Sequence, residues 1–247
     1  MMNISVLQDY EEMSQKAAER IIQAVHTKPD SLLCLPGGDT PKETFRLLVQ
    51  AVKENRVDFS QSTFVGLDEW EGLGREDEGS CVHFLYNQFY IPAGIQESQV
   101  HSFNAKADDL QAECEKMDAV IMKHGGLDLI LLGLGVNGHL GFNEPGVSFD
   151  SFSHISELDP VTNTVGQKYF KEQRVLSKGI TLGIKHILNA NIALLIANGM
   201  NKSDAVFEMI KGPVVNTMPA SILQHHSNSH LFLDLEAYSR VGKFQTN

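Results

Sequence analysis

The chain has 247 residues, enough for one α/β domain that buries roughly 70% of its unfolded surface without help from a metal or a disulfide. Hydrophobic residues make up 42% and charged residues 21%, which excludes a disordered or fibrous chain. With 20 Lys+Arg against 31 Asp+Glu the net charge is −11, a field that repels phosphate backbones and anionic lipid, so neither nucleic-acid nor membrane binding is expected. An anionic ligand must therefore be caught by a local device.

Residues 7–26 place apolar side chains at helical spacing (Met13, Ala17, Ile21, Ala24, Val25). This opening stretch is acidic and amphipathic rather than basic and then apolar, and nowhere do about 18 apolar residues run together. The expectation is a cytoplasmic protein with no membrane segment. SLLCLP (31–36) is a compact apolar strand, followed by a glycine turn and a helix through 41–53. STFVGLD (62–68) is the next strand and CVHFLYNQFY (81–90) the next helix. Residues 108–123 form another helix, closed by Gly125-Gly126. DLILLGLG (128–135) is the most apolar strand, suited to burial on both faces. NIALLIANG (191–199) is a second such strand, followed by the helix KSDAVFEMIKG, and HLFLDL (230–235) is the last.

Strands alternating with helices, with no repeat and no linker, predict a single domain over 1–247. The fold class is α/β: a doubly wound, mostly parallel Rossmann-like sheet with helices on both faces. In such folds ligands sit beyond the carboxyl ends of the strands, which directs attention to residues 36–40, 68–70, 135–144 and 198–202. The three cysteines (Cys34, Cys81, Cys114) are widely spaced without a CxxC pair, so neither a zinc site nor a disulfide framework is expected.

Each of the four loops carries groups that could do chemistry. In LPGGDTPKE, Thr40 as N-cap, Pro41 at the first helical position and Glu43 at the third form a capping box. Gly37 and Gly38 would let backbone N–H groups approach a phosphate at a positive helix end; the same residues also suit a plain strand–helix turn. Asp39 is awkward there, because a carboxylate beside a phosphate is unfavourable unless it points away. In VGLDEW the adjacent Asp68 and Glu69 alternate in direction, so only one can face a cleft. GLGVNGHLGFNEPG (133–146) packs five glycines with Asn137, His139, Asn143 and Glu144. A His beside a carboxylate and an amide is arranged like an oriented general acid/base. ANGMNKSDAV repeats the strand–Gly–helix plan and puts Lys202 in the opening turn, where a cation opposes the helix dipole unless an anion bridges both.

Taken together, GGxTP, LDE, GxxxNGHLGFNEPG and GxxK, each after a strand, resemble the amino-sugar-6-phosphate deaminases (isomerases), whose relatives include the 6-phosphogluconolactonases. The resemblance runs from about residue 5 to 240. GGLDLILLGLGVNGHLGFNEPG running into SHISELD, then KGITLGIKHILNA and PASILQHHSN, look closest to the galactosamine-6-phosphate branch. The resemblance implies no metal or organic cofactor and a small amino-sugar phosphate as ligand. It implies Asp68 as the base moving a proton between C2 and C1. His139 would assist ring opening, oriented by Glu144 and Asn137. Gly37, Gly38, Thr40 and Lys202 would hold the phosphate, with Lys168 ahead of Tyr169-Phe170 as a further cation. The expected reaction converts galactosamine 6-phosphate to tagatose 6-phosphate and ammonia. The alternatives are the glucosamine epimer giving fructose 6-phosphate and, behind it, a 6-phosphogluconolactonase; a non-catalytic sugar-phosphate sensor is the remaining reading. The chain departs from the family pattern in carrying Asn137 where an aspartate is familiar, and Lys168 where an arginine is. An amide stabilises an imidazolium less than a carboxylate does, and lysine lacks the bidentate fork. Residues 147–160 contain no lysine or arginine, so they offer no basic cluster for an allosteric phosphate. No coiled-coil heptad is present, and the state is either monomer or homo-oligomer.

Overall fold

The computed structural model describes residues 2–244. Its strands are β1 (Asn3–Leu7), β2 (Leu32–Leu35), β3 (Thr63–Gly66), β4 (Asp68–Trp70), β5 (Val100–His101), β6 (Leu129–Gly133), β7 (His154–Glu157), β8 (Lys178–Thr181), β9 (Ala193–Ala197) and β10 (Ser229–Asp234). Its α-helices are α1 (Tyr10–Thr27), α2 (Lys42–Lys53), α3 (Cys81–Leu85), α4 (Leu110–Lys123), α5 (Pro160–Gly166), α6 (Ile184–Asn189), α7 (Ser203–Lys211) and α8 (Leu235–Phe244).

Seven strands form one sheet in the order β1-β10-β9-β6-β2-β3-β5, and every pairing within it is parallel. Strand residues alternate between two cores. Leu33, Leu35, Leu129, Leu131, Leu194 and Ile196 face α1 and α2, packing on Met13, Ile21, Phe45 and Leu48. Leu32, Cys34, Ile130, Leu132 and Leu195 face the other helical layer, meeting Met117, Ile121, Ile187, Val206 and Val241. Burial on both faces is why these strands read as unbroken apolar runs. The expected doubly wound α/β fold is present.

Strand order reverses direction at β2. The chain proceeds from β2 to β3 and β5 on one side, and to β6, β9 and β10 on the other. The loops leaving β2 and β6 therefore diverge, opening a crevice at the carboxyl edge. Over that crevice lies a second, antiparallel sheet in the order β4-β8-β7, which the sequence patterning does not announce. Its strands have three or four residues, too few for a periodicity to show.

Two local expectations are corrected. The capping box at Thr40 does not form: α2 begins at Lys42 with Pro41 as its cap residue, and no side chain caps it. Gly38 takes φ of 104° and Lys42 N–H donates to the Asp39 carbonyl at 3.2 Å, so a turn closes before the helix starts. Glu43 instead grips Arg46 through both oxygens at 2.6 and 2.8 Å, while its N–H donates to the Tyr10 hydroxyl at 3.1 Å. The helix expected over 81–90 is present but changes pitch, from α3 to a π-helical turn over Tyr86–Tyr90.

Candidate active site

A cavity of 760 Å³ sits at the carboxyl edge of the sheet, within the range usual for small-molecule sites. The four loops singled out in the sequence all reach it. Gly37, Gly38 and Thr40, Asp68, His139, Lys168 and Lys202 line it together. Asn137 and Glu144 do not line it; they stand behind His139.

Asp68 opens β4 and is paired with Thr181 of β8. Alternation along the strand turns Asp68 to the cavity and Glu69 away from it. Glu69 is 1% exposed, yet its carboxylate is satisfied: it accepts from the Ser80 hydroxyl at 2.7 Å and from the N–H groups of Trp70, Val82 and Cys81 at 2.9, 2.9 and 3.1 Å. This shell ties β4 to the start of α3 and so fixes where Asp68 points. The Asp68 carboxyl is pushed up to about 7, first by burial and then by the negative charge of Glu69, against a lowering hydrogen bond from the Cys81 thiol. A carboxyl balanced near neutrality can both take and return a proton.

The loop after β6 is folded tightly by its glycines. Gly138, with φ of 84°, donates its N–H to the Gly135 carbonyl at 3.0 Å, and Gly135 donates to the His139 carbonyl at 3.0 Å. A Cβ at Gly135 would lie 2.1 Å from His139 Cδ2, so the imidazole packs directly on this backbone. His139 Nδ1 is 3.0 Å from the Thr162 hydroxyl and 3.3 Å from Glu144 Oε2. Among the described residues no hydrogen bond joins Asn137 to the ring. Its amide donates to Glu144 Oε2 at 3.0 Å, and its carbonyl accepts the His139 backbone N–H at 3.3 Å. Burial raises the Glu144 carboxyl, but the contacts with His139 and Asn137 outweigh it and hold the group below its ordinary value. Asn143, fully buried, donates to the carbonyls of Leu140 and Leu182 at 2.7 and 2.8 Å.

Strand β8 stitches the two catalytic candidates into one frame. Thr181, the partner of Asp68, accepts the Phe142 N–H at 3.2 Å. A Cβ on Gly179, the partner of Trp70, would lie 2.4 Å from the Phe142 ring. Trp70 and Phe142 rings meet at 4.5 Å between centroids. Asp68 and the His139 loop thus rest on the same two adjacent strands.

Two cations, Lys168 and Lys202, also line the cavity. Lys202 closes a turn of 3-10 helix after Gly199 (φ of 86°), just ahead of α7. Gly199 N–H donates to both carboxylate oxygens of Asp234, at 3.1 and 2.9 Å, which pins this turn to the end of β10. Lys202 has no carboxylate partner among the described residues, and its ammonium is lowered to about 8, by burial first and then by the charge of Lys168. Lys168 reaches across to Asp39, with Nζ to Oδ2 at 2.7 Å. That contact shows where the awkward carboxylate of the glycine turn goes. A Cβ at Gly38 would lie 3.2 Å from the Tyr169 hydroxyl, so the segment after α5 presses on the turn.

Residues 8–232 match the family of glucosamine-6-phosphate isomerases/6-phosphogluconolactonase. The chain belongs to that family. Over 242 residues this member is 39% identical to the glucosamine-6-phosphate deaminase of Clostridium botulinum (strain Hall), covering 98% of this chain and 99% of that one. It is 37% identical to the glucosamine-6-phosphate deaminase of Halalkalibacterium halodurans, covering 98% of each. A solved structure of a monomeric glucosamine-6-phosphate deaminase matches with a TM-score of 0.94 at 36% identity, over 97% of this chain and 100% of that one. The 6-phosphogluconolactonase of Thermotoga maritima matches at a TM-score of 0.76 and 19% identity, over 95% of this chain and 100% of that one. At that identity the likeness is one of fold alone. The family member is thus an enzyme of the amino-sugar-phosphate deaminase/isomerase kind, as its motifs imply.

Several residues of the family member's site escape a reading of the sequence. Thr162, buried at 5% exposure, bonds His139 from α5, a seven-residue helix too short for a periodic signal; the Asp159-Pro160 start, where Asp159 accepts the Val161 N–H at 2.8 Å, is the cue that could have placed it. Glu69 and Cys81 shape Asp68 from behind and beside. Their contacts are set by the fold rather than by any spacing. No helix among the described residues is long and apolar enough to cross a membrane.

Proposed function

We propose that the protein is a deaminating aldose–ketose isomerase of hexosamine 6-phosphates, with water and the amino sugar phosphate as reactants and ammonia and a ketose 6-phosphate as products. The observation that carries the reading is the one cavity that Asp68 and His139 share with the Gly37-Gly38 turn and with Lys202, which has no carboxylate partner among the described residues. The phosphate anchors the substrate on Lys202 and on the backbone N–H groups of residues 37–40, with Thr40 lining the same cavity and Lys168 adding charge once it leaves Asp39. That binding free energy positions C1 and C2 against Asp68. His139, held through Nδ1, handles the ring oxygen proton with its other nitrogen as the pyranose opens. Asp68 takes the C2 proton and returns it to C1 through an enolamine-like intermediate. Water then adds at C2 and ammonia leaves.

Two epimers fit this chemistry. Galactosamine 6-phosphate, giving tagatose 6-phosphate, is favoured by the stretches SHISELD, KGITLGIKHILNA and PASILQHHSN. Glucosamine 6-phosphate, giving fructose 6-phosphate, is favoured at least as well by the relatives at 37–39% identity. One coupled assay with both substrates side by side, reading ammonia and ketose, tests the proposal. Ammonia and tagatose 6-phosphate from the first support the galacto reading, and ammonia and fructose 6-phosphate from the second the gluco reading. Ammonia from neither, with hydrolysis of 6-phosphogluconolactone, would put the protein with the lactonases.

A further inference from the structure

His139 Nδ1 has two oxygens within reach, the Thr162 hydroxyl at 3.0 Å and Glu144 Oε2 at 3.3 Å. One N–H cannot serve both well. A hydroxyl has one donor and two acceptor lone pairs, and Oε1 of Glu144 is buried with no hydrogen-bond partner among the described residues. The arrangement that satisfies all three groups is a relay: Nδ1–H donates to Thr162 Oγ1, and Thr162 O–H donates to Glu144. Asn137 donates to Glu144 Oε2 at 3.0 Å, so one carboxylate oxygen is held by the amide while the ring is held through the hydroxyl.

Thr162 differs from the other members of this cluster in where it comes from. Asn137, His139 and Glu144 share one loop, but Thr162 stands on α5. That helix is fixed at its start by the Asp159 cap and at its end by Gly166, where a Cβ would lie 2.7 Å from the Trp70 ring. Val161, Thr162, Val165 and Gly166 of the same helix form a wall of the cavity, with Val161 and Val165 being 42% and 40% exposed.

The geometry points to Thr162 as a positioning residue for His139, relaying Nδ1–H to Glu144 and making the orientation of the imidazole depend on the seating of α5 against the cavity. The proposal deepens the deaminase reading, and its kinetic arm rests on that reading. No proton is lost or gained in the relay: Nδ1 keeps its hydrogen, Glu144 stays ionised, and the other ring nitrogen keeps the lone pair that meets substrate.

Thr162→Val keeps the shape and removes the hydroxyl, while Thr162→Ser keeps the hydroxyl and loses a methyl. With the hexosamine 6-phosphate that the wild type turns over, Thr162→Val lowers kcat by about ten- to a hundredfold with KM within about threefold, and Thr162→Ser stays within about threefold of wild type. Equal activity in wild type and Thr162→Val, or equal loss in Val and Ser, overturns the relay. A spectroscopic arm needs no turnover and so stands if the deaminase reading fails. In the full chain labelled with 15N-histidine, the Nδ1–H resonance of His139, assigned by its loss in His139→Gln, has the same position in wild type and Thr162→Ser. In Thr162→Val it moves or is lost to exchange, because its acceptor has changed. An unmoved resonance in Thr162→Val overturns the proposal.

Discussion

Two groups that line the cavity, Asp68 and Lys202, are displaced in opposite directions, and activity should record both. On the proposed mechanism Asp68 must be ionised to take the C2 proton, and its carboxyl is pushed up to about 7. On the same mechanism Lys202 must be charged to hold the phosphate, and its ammonium is lowered to about 8. The product of the two required fractions peaks near pH 7.5 at about 0.6 and falls to about 0.1 at pH 6 and at pH 9. The profile of kcat/KM is therefore a narrow bell that drops about sixfold at each of those pH values. The acid limb is assigned by Glu69→Gln: removing the neighbouring negative charge lowers the Asp68 carboxyl, so the limb moves to lower pH while the alkaline limb stays. The alkaline limb is assigned by Lys168→Gln, which removes the neighbouring positive charge, raises the Lys202 ammonium and moves that limb to higher pH. Initial ammonia release from pH 5 to 10, at substrate well below KM, reads both limbs. Because the phosphate of the substrate itself titrates at about 6, the shift between variants is the decisive quantity. An acid limb that stays in place in Glu69→Gln would refute the account of how Asp68 is tuned.

Other outcomes follow from the same geometry. His139→Gln slows turnover of the ring-closed substrate by about 10²-fold or more and leaves an open-chain analogue nearly unaffected; equal loss on both contradicts a ring-opening role. Lys202→Gln lowers kcat/KM by about ten- to a hundredfold, as expected for a charge-assisted hydrogen bond to phosphate, and the loss appears mainly in KM. Asp39→Asn has the opposite sign: it releases Lys168 from an ion pair of 2.7 Å and lowers KM by a few-fold at most, since both partners are about half exposed. Gly135→Ala drives a methyl to 2.1 Å from His139 Cδ2 and displaces the ring, costing up to about 10²-fold in kcat. A Gly135→Ala enzyme with full activity would show that the imidazole need not lie where it does.

The parts legible in the sequence were those with a strong one-dimensional signal. The strands at 31–36, 128–135 and 191–199 are covered on both faces, so their apolar runs stand out, and the loops that follow them meet as an α/β sheet requires. The rest depends on contacts between distant segments. Strand β1 is an edge strand with exposed Ile4 and Val6 and reads as the approach to a helix. The sheet β4-β8-β7 carries Asp68 and supports the His139 loop, yet its strands are too short to carry a period. The expected capping box failed for a similar reason: the T-P-x-E pattern is present, but the turn at Asp39 and the Tyr10 hydroxyl from α1 take over the ends it would have satisfied. Asn137 illustrates a finer limit. Its spacing marks it as a neighbour of His139, but only the fold shows that its amide reaches Glu144.

The most direct test follows the proton that Asp68 is held to carry between C2 and C1. Turnover of a substrate deuterated at C2, with the ketose product read by NMR, should carry part of that deuterium to C1 in wild type. Asp68→Asn should abolish both ammonia release and that transfer, a loss of about 10²-fold or more, while still binding the sugar phosphate. Ammonia release retained in Asp68→Asn, or deuterium still entering C1 at the wild-type rate, would contradict the assignment and with it the reading of the cavity.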